Sequence, residues 1–237
     1  MIKVNYKPKS ELEKFGVKVY SALVENFPQT FFVGGMVRDT LLKIAVRDID
    51  LATDAEPQKV AAALSSRGIE YDTEFQKLGI IIVPWKDVRL SITTFRKDSY
   101  SDSRYPQVTF IKSARQDSQR RDFTINSLYL SLKTNTILDF NRGLKDLKLK
   151  QIKFIGDPKR RIKEDPLRIV RALRFALVLN FKLENKTKHA INKSFNLIKQ
   201  PTKTKLEKEI KKIGNAKKEN ILKKVINSPN LLDKYFK

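Results

Sequence analysis

Apolar and polar positions along this chain repeat at two different periods, and the change between them divides it. Glu11 to Glu25 carries apolar residues at helical spacing and predicts an amphipathic helix. Thr30-Phe31-Phe32-Val33 is a short apolar run ended by Gly34-Gly35, which predicts a buried strand. Val37 to Lys43 predicts a short helix, and Asp48-Ile49-Asp50-Leu51 alternates polar and apolar like a half-buried strand. Pro57 opens a helix running to Arg67. Further strands are predicted at Ile69–Thr73, Gly79–Pro84, Val88–Phe95, Val108–Ile111 and Ser127–Leu132, and the polar stretch Arg96 to Arg104 predicts a mobile loop.

From Pro158 onward the pattern becomes helical, with one break at Gln200-Pro201 and weaker ones at Gly214 and Pro229. The expected architecture is an α/β (α+β) head with a mixed sheet over residues 1–155, followed by an all-helical segment over 156–237. No internal repeat or low-complexity segment stands out.

Composition narrows the chemistry. At 41% hydrophobic residues the chain can build a core. It has no cysteine and a single histidine, His189, so thiolate and His-pair metal sites are excluded, and catalysis must run on carboxylates, hydroxyls, Lys, Arg and bound ions. No stretch approaches the roughly 18 apolar residues of a membrane span, and Met1-Ile2-Lys3-Val4-Asn5-Tyr6 lacks the apolar run of a secretory signal. A cytoplasmic protein without a membrane partner is expected. The net charge is +23, unevenly spread: residues 1–150 hold 25 basic against 18 acidic side chains, and residues 151–237 hold 24 against 8. Such a field attracts polyanions, although a generally lysine-rich surface gives the same count.

Asp48 and Asp50 are the first candidate for chemistry. In a strand, residues two apart project from one face, about 7 Å apart at Cα. Two converging carboxylates are costly unless a cation neutralises them, and Mg²⁺ suits one or two carboxylates joined by substrate phosphates. Gly34-Gly35, between a strand and a helix, allows close backbone approach to a phosphate, with helix N–H groups and Arg38 to hold it. Each feature has a plainer reading, as the polar face of a strand or as a tight turn. Together they make a two-metal phosphoryl-transfer site.

Four segments carry a family resemblance. Phe32-Val33-Gly34-Gly35-Met36-Val37-Arg38-Asp39 followed by Arg47-Asp48-Ile49-Asp50-Leu51-Ala52-Thr53 resembles motif A of the class II tRNA nucleotidyltransferase and bacterial poly(A) polymerase family. Arg120 to Leu128, Asp139 to Leu147 and Glu164 to Phe175 resemble its next three motifs, in order. The resemblance implies a nucleotidyltransferase head and a helical neck. It assigns Asp48 and Asp50 to catalytic Mg²⁺ ions, and Gly34, Gly35, Arg38 and Arg121 to the incoming nucleotide. It also implies that Asp165 and Arg168 read the base edge of CTP or ATP, with Arg171 and Arg174 contacting the nucleotide as well. The implied activity is template-independent addition to the 3′ end of tRNA.

Local alternatives stand beside these roles. Pro166 suits a first helical position, which makes Asp165 a helix N-cap. Arg121 also reads as a solvated charge and Asp122 as a turn residue. Three-residue steps on a helix lag by about 60°, which turns Arg174 away from Asp165.

Two departures matter. Ser91 stands where the family pattern has Glu, and a hydroxyl cannot act as a negative ligand. About sixty residues follow Phe175, where family members usually continue further; Thr202 to Ile213 resembles a neck motif with Lys205 in place of Arg. Such a chain is expected to be a piece of a longer protein, a naturally short enzyme, or one half of a split enzyme completed by a separate C-terminal subunit or a homo-oligomer. Within the family, CCA-, CC- and A-adding enzymes and poly(A) polymerase are the choices, and Gln76-Lys77-Leu78-Gly79-Ile80-Ile81 lacks the basic cluster expected of the last. A weakly catalytic RNA-binding relative is the alternative from another class, and a transferase acting on a small molecule is a further one.

Overall fold

The computed structural model describes residues 2–100, 107–231, 235 and 236. By contact the chain divides into two compact units, Met1–Arg121 with Asn126–Gly143, and Asp122–Ile125 with Leu144–Lys237.

The first unit is built on strands β1 (Ile2–Lys3), β2 (Thr30–Val33), β3 (Asp50–Thr53), β4 (Ile80–Trp85) and β5 (Val88–Thr94), a hairpin of β6 (Arg96–Ser99) and β7 (Gln107–Phe110), then β8 (Leu128–Ser131) and β9 (Thr136–Asp139). Its helices are α1 (Glu11–Val24), α2 (Gly35–Leu42), α3 (Pro57–Ser65) and α4 (Ala114–Arg120). Seven strands form one sheet in the order β1-β9-β8-β2-β3-β5-β4. Every neighbouring pair is antiparallel except β3 and β5, which makes the sheet mixed, as expected.

Helix α1 begins where the sequence signals a start: Ser10 accepts from the Glu13 N–H, and the Glu13 carboxylate takes the Ser10 N–H in return, a reciprocal capping box. It packs closely on the sheet through Gly16, where an added Cβ would lie 2.5 Å from Ile49 Cδ1 and 3.4 Å from Phe32 Cε1. Phe32 is fully buried there and stacks on Tyr20 at 5.2 Å. The opposite face carries Phe31, Val33, Ala52, Phe95, Ala114 and Tyr129. The continuous apolar run of β2 is thereby explained, since its residues are covered on both faces.

Several boundaries move. The strand expected at Asp48–Leu51 begins at Asp50, because the chain leaves α2 through Lys43 in the left-handed region and joins the ladder only where Ile49 O accepts the Ser91 N–H. Ile69–Thr73 is not a strand: Asp72 makes one isolated bridge to Ile82. Arg96–Ser99, expected in a loop, pairs with Gln107–Phe110; the remainder of that expected loop, 101–104, lies outside the described residues. Helix α4, polar and only seven residues long, and β9 gave too little periodicity to be anticipated.

The second unit contains α5 (Gly143–Lys148), β10 (Gln151–Ile152), α6 (Pro158–Glu164), α7 (Leu167–Leu179), β11 (Lys182–Leu183), α8 (Asn185–Lys193), α9 (Lys203–Lys211) and α10 (Ala216–Asn227). It is helical as expected, apart from the two-residue parallel pair of β10 and β11. Asp157 caps α6 by accepting from the Arg160 N–H, with Pro158 in the first turn. Asn180 ends α7 in the left-handed conformation. The breaks at Gln200-Pro201 and Gly214 separate α9 from its neighbours. Among the described residues no helix is long and apolar enough to cross a membrane.

Phe32 is the natural probe of the first unit's core. Phe32→Ala should cost about 3–5 kcal/mol, the lost burial plus the cavity left under α1. Chemical denaturation checks this, and a loss below about 1 kcal/mol would contradict the packing described.

Candidate active site

Strand β2 ends at Val33, opposite Asp50, and hands over to Gly34 at φ +72°. An added Cβ on Gly34 would lie 3.3 Å from Asp50 Oδ2. Glycine thus meets two requirements at once: a backbone that L side chains rarely adopt, and close approach to a carboxylate. The other oxygen, Asp50 Oδ1, accepts a hydrogen bond from Ser91 Oγ at 2.5 Å across the parallel β3–β5 pair. Ile49 is turned to the α1 face, so alternation sends Asp50 to the face of Val33 and Tyr129. Asp48 is exposed just before the strand. Burial raises the pKa of Asp39 on α2, and the Asp48 carboxylate adds to this against the pull of Arg38. Asp50 therefore borders the start of α2 at Gly34, and Asp48 is linked to α2 electrostatically through Asp39.

Arg38 lies on α2 and is held, not loose. Its Nε and Nη2 donate to Asp39 at 2.8 and 3.0 Å, and Nη1 donates to Asn126 Oδ1 at 2.6 Å. Arg121 follows the end of α4, where Nε donates to the Tyr129 hydroxyl at 2.9 Å and Nη2 to Asp117 Oδ2 at 3.1 Å. Tyr129 in turn donates to Asp117 at 2.5 Å, and Arg120 donates to the same carboxylate at 2.8 Å. Burial opposes the charge on Arg121, but the Tyr129 oxygen, Asp117 and then Asp50 hold its pKa above the ordinary guanidinium value. The influence of Asp50 links Arg121 electrostatically to the carboxylate site. Arg121 is therefore not the solvated charge of the alternative reading.

In the second unit, Asp165 lies in extended conformation between α6 and α7, and its Oδ1 accepts the Leu167 N–H at 3.0 Å. The helix begins at Leu167 with Pro166 at its N-cap, so Asp165 stands one position before the expected cap while still taking the Leu167 N–H. Arg168 turns back to donate to Arg161 O at 2.7 Å and Glu164 Oε2 at 2.8 Å. Burial opposes the charge of Glu164, but Arg168 and Arg161 hold its pKa below the usual carboxylate range. Arg171 is ion-paired with Asp122, whose other oxygen accepts the Phe123 N–H, so Asp122 both shapes a turn and holds an arginine. Arg174 donates to Glu209 of α9 at 2.9 Å and lies over the Phe175 ring. Arg171 also reaches Glu209, at 3.7 Å. Arg174 is almost fully buried and paired with an internal partner.

Sequence reasoning missed the partners: Asn126, Asp117, Tyr129, Glu164 and Glu209. Three were detectable as helical spacings, Asp117 to Arg121 and Glu164 to Arg168 at four residues, Glu209 to Lys212 at three. The pairings with Asn126 and Tyr129, and those of Arg171 and Arg174, span longer stretches of chain or depend on the fold, and no local signal marks them.

The donors at Asp48 and Asp50 are oxygens only, as a hard cation requires. Among the described residues no cluster of three or more acidic, His or Cys side chains could hold a metal alone. This set fits Mg²⁺ arriving with phosphates that complete its coordination, and does not fit a dedicated structural metal site.

The model of the poly(A) polymerase head domain matches residues 30–153. The chain is 41% identical over 192 residues to the CCA-adding enzyme of Bacillus subtilis, covering 79% of this chain and 47% of that protein. It is 38% identical over 216 residues to the CCA-adding enzyme of Lactobacillus helveticus, covering 90% and 52%. Among solved structures it resembles the Bacillus stearothermophilus CCA-adding enzyme in complex with CTP, with a TM-score of 0.75 at 30% identity over 86% of this chain and 49% of that one. It also resembles a tRNA nucleotidyltransferase complexed with a primer tRNA and an incoming ATP analog, with a TM-score of 0.68 at 32% identity over 87% and 57%. The chain spans about half the length of the curated relatives it matches.

Asp117 provides a test of the Arg121 cradle. Burial would raise its pKa, yet Arg121, Arg120 and the Tyr129 hydrogen bond depress it. With the folded value below the unfolded one, the unfolded chain binds more protons between them. The contribution of Asp117 is therefore full above about pH 4 and lost as pH falls through the folded value. Asp117→Asn should lower stability by about 3–5 kcal/mol at neutral pH, with a smaller gap from wild type at about pH 3, below the free carboxyl value. Denaturant titrations at both pH values check this, and an equal gap at both would count against the paired carboxylate.

Proposed function

The chain belongs to the poly(A) polymerase head-domain family, and from that premise we propose that it is a cytoplasmic, magnesium-dependent nucleotidyltransferase that adds CMP and AMP from CTP and ATP to the 3′ end of tRNA without a template. The observation that carries this reading is Asp50, set between the Gly34 turn and Ser91 with Arg121 in electrostatic reach. The CCA-adding relatives and the CTP-bound neighbour support the choice of substrates.

In this reading residues 1–155 perform the transfer and residues 156–237 select the nucleotide and hold RNA. Asp48 and Asp50 would hold Mg²⁺ together with the substrate phosphates; the ion, when bound, would supply positive charge for the triphosphate and a lower pKa for the attacking hydroxyl. The RNA 3′ oxygen bonds to the α-phosphorus, its proton passes to solvent, the bond to the β-phosphate breaks, and pyrophosphate leaves. Gly34 and Gly35 allow the triphosphate close to the backbone, while Arg38 and Arg121 offer guanidinium donors already fixed by Asn126 and Tyr129. Asp165 accepts from the amino group of cytosine or adenine, and Arg168 donates to the ring acceptors beside it. Arg171 and Arg174, anchored on Asp122 and Glu209, stiffen the helix that carries Arg168.

The test is to offer the protein a tRNA ending in its discriminator base, with CTP, ATP or both, and to sequence the product ends. Addition of CCA is expected, and Asp48→Ala or Asp50→Ala should reduce extension to background while leaving the fold intact. Long A-tracts would instead favour a poly(A) polymerase. RNA binding without extension would favour the non-catalytic relative. Wild-type extension by either aspartate variant would refute the site assignment.

A further inference from the structure

An aspartate carboxylate rotates broadly about its last torsion, so the direction of its oxygens is open unless a neighbour fixes it. Asp50 has such a neighbour in Ser91. The parallel register sets Asp50 opposite Ser91, and the Ser91 N–H is bonded to Ile49 O at 3.1 Å, so the backbones on both sides are fixed. The Ser91 hydroxyl has one proton and gives it to Asp50 Oδ1 at 2.5 Å, a short charge-assisted bond. Oδ2 lies beside Gly34, 3.3 Å from where a Cβ would begin.

We propose that Ser91 is a positioning residue that orients Asp50 so that Oδ2 is presented at the Gly34 turn to a divalent cation arriving with a nucleotide. The proposal rests on the nucleotidyltransferase reading and adds to it a residue that does not itself ligate the ion. As a donor, the hydroxyl cannot supply negative charge; its contribution is to remove one rotational freedom from the carboxylate that does. A plain cross-strand polar pair would look similar but act differently, contributing to the stability of β3 against β5 and leaving cation affinity alone. The side-chain hydroxyl, and not the size or branching of the side chain, carries the effect.

The experiment uses the full chain with Mn²⁺ as a paramagnetic stand-in for Mg²⁺. Free Mn²⁺ is read by electron paramagnetic resonance during titration in the presence of CTP, and denaturant stability is measured beside it. Ser91→Thr keeps the donor, whereas Ser91→Val adds the same branch without it, and Ser91→Ala is the smaller second variant. Losing an ordering hydrogen bond should weaken Mn²⁺ affinity in Ser91→Val and Ser91→Ala by roughly five- to tenfold, with Ser91→Thr within about twofold of wild type. Asp50→Asn should lose the CTP-dependent Mn²⁺ site altogether. Wild-type Mn²⁺ affinity in both Ser91→Val and Ser91→Ala, with the site lost in Asp50→Asn, would overturn the role of Ser91 and leave the enzymatic reading standing. Unchanged Mn²⁺ binding in Asp50→Asn, or none in the wild type, would overturn both.

Discussion

Three strands fix the position of Asp50 together. β2 lies antiparallel on one side and places Val33 opposite, and β5 lies parallel on the other and places Ser91 opposite. A strand slipped by one residue would send Asp50 to the α1 face and bring Ile49 into the glycine turn. That slip is costly because Ile49 and Leu51 fill the buried layer against α1 with no exposure at all. The apolar side chains on one face therefore hold the carboxylate on the other. The same register leaves room beside Gly34, so the conformation of the turn and the approach of the carboxylate are one geometric condition.

The arginines of the two units, each within its own unit, follow a common design. Arg38, Arg121, Arg168, Arg171 and Arg174 each rest on an oxygen of the protein: Asn126 and Asp39, Asp117 and Tyr129, Glu164, Asp122, and Glu209. A guanidinium has five N–H donors in a planar fork, so one edge can be anchored while the group keeps further donors for another partner. Anchoring has an electrostatic side too. Asp122 foremost, with Glu209, holds the pKa of Arg171 above its ordinary value despite burial. Burial, joined by the charge of Arg171, pulls Arg174 the other way, and Glu209 only partly offsets it. Arg174 is buried, lies over the Phe175 ring and donates to Glu209 of α9.

Much of this was legible in the sequence because the relevant signals are local. The helical spacing of α1, the apolar run of β2, the glycine pair and the aspartates beyond it each depend on neighbours within a few residues. Where the reading slipped, non-local contacts decided. Arg96–Ser99 is polar and read as a loop, yet it is a strand because Gln107–Phe110 completes its hydrogen bonds. Ile69–Thr73 has strand-like residues, but only one bridge forms and no ladder follows. Ser91 was legible as a departure but not as a partner, since its meaning depends on the parallel register of two strands forty-one residues apart. The same holds for Asn126 beneath Arg38 and for Asp122 beneath Arg171: an ion pair or hydrogen bond across the fold leaves no periodicity to read.

The charge of the second half of the chain is divided between two kinds of cation. Arg161, Arg168 and Arg174 are buried and hold acidic or carbonyl partners, whereas Lys159, Lys182, Lys186, Lys203, Lys211 and Lys223 are exposed. Two carboxylates there pair with arginines, Glu164 with Arg168 and Arg161, and Glu209 with Arg174 and Arg171. What remains toward solvent is therefore a lysine field with few acids to cancel it. Lysine suits that place, being a hydrated point charge on a flexible stem that tolerates many phosphate positions, while the planar arginine fork serves where geometry must be exact to the ångström. In the proposed reaction, fixed donors inside would serve the choice of nucleotide, and the diffuse field outside would serve the hold on a polyanion.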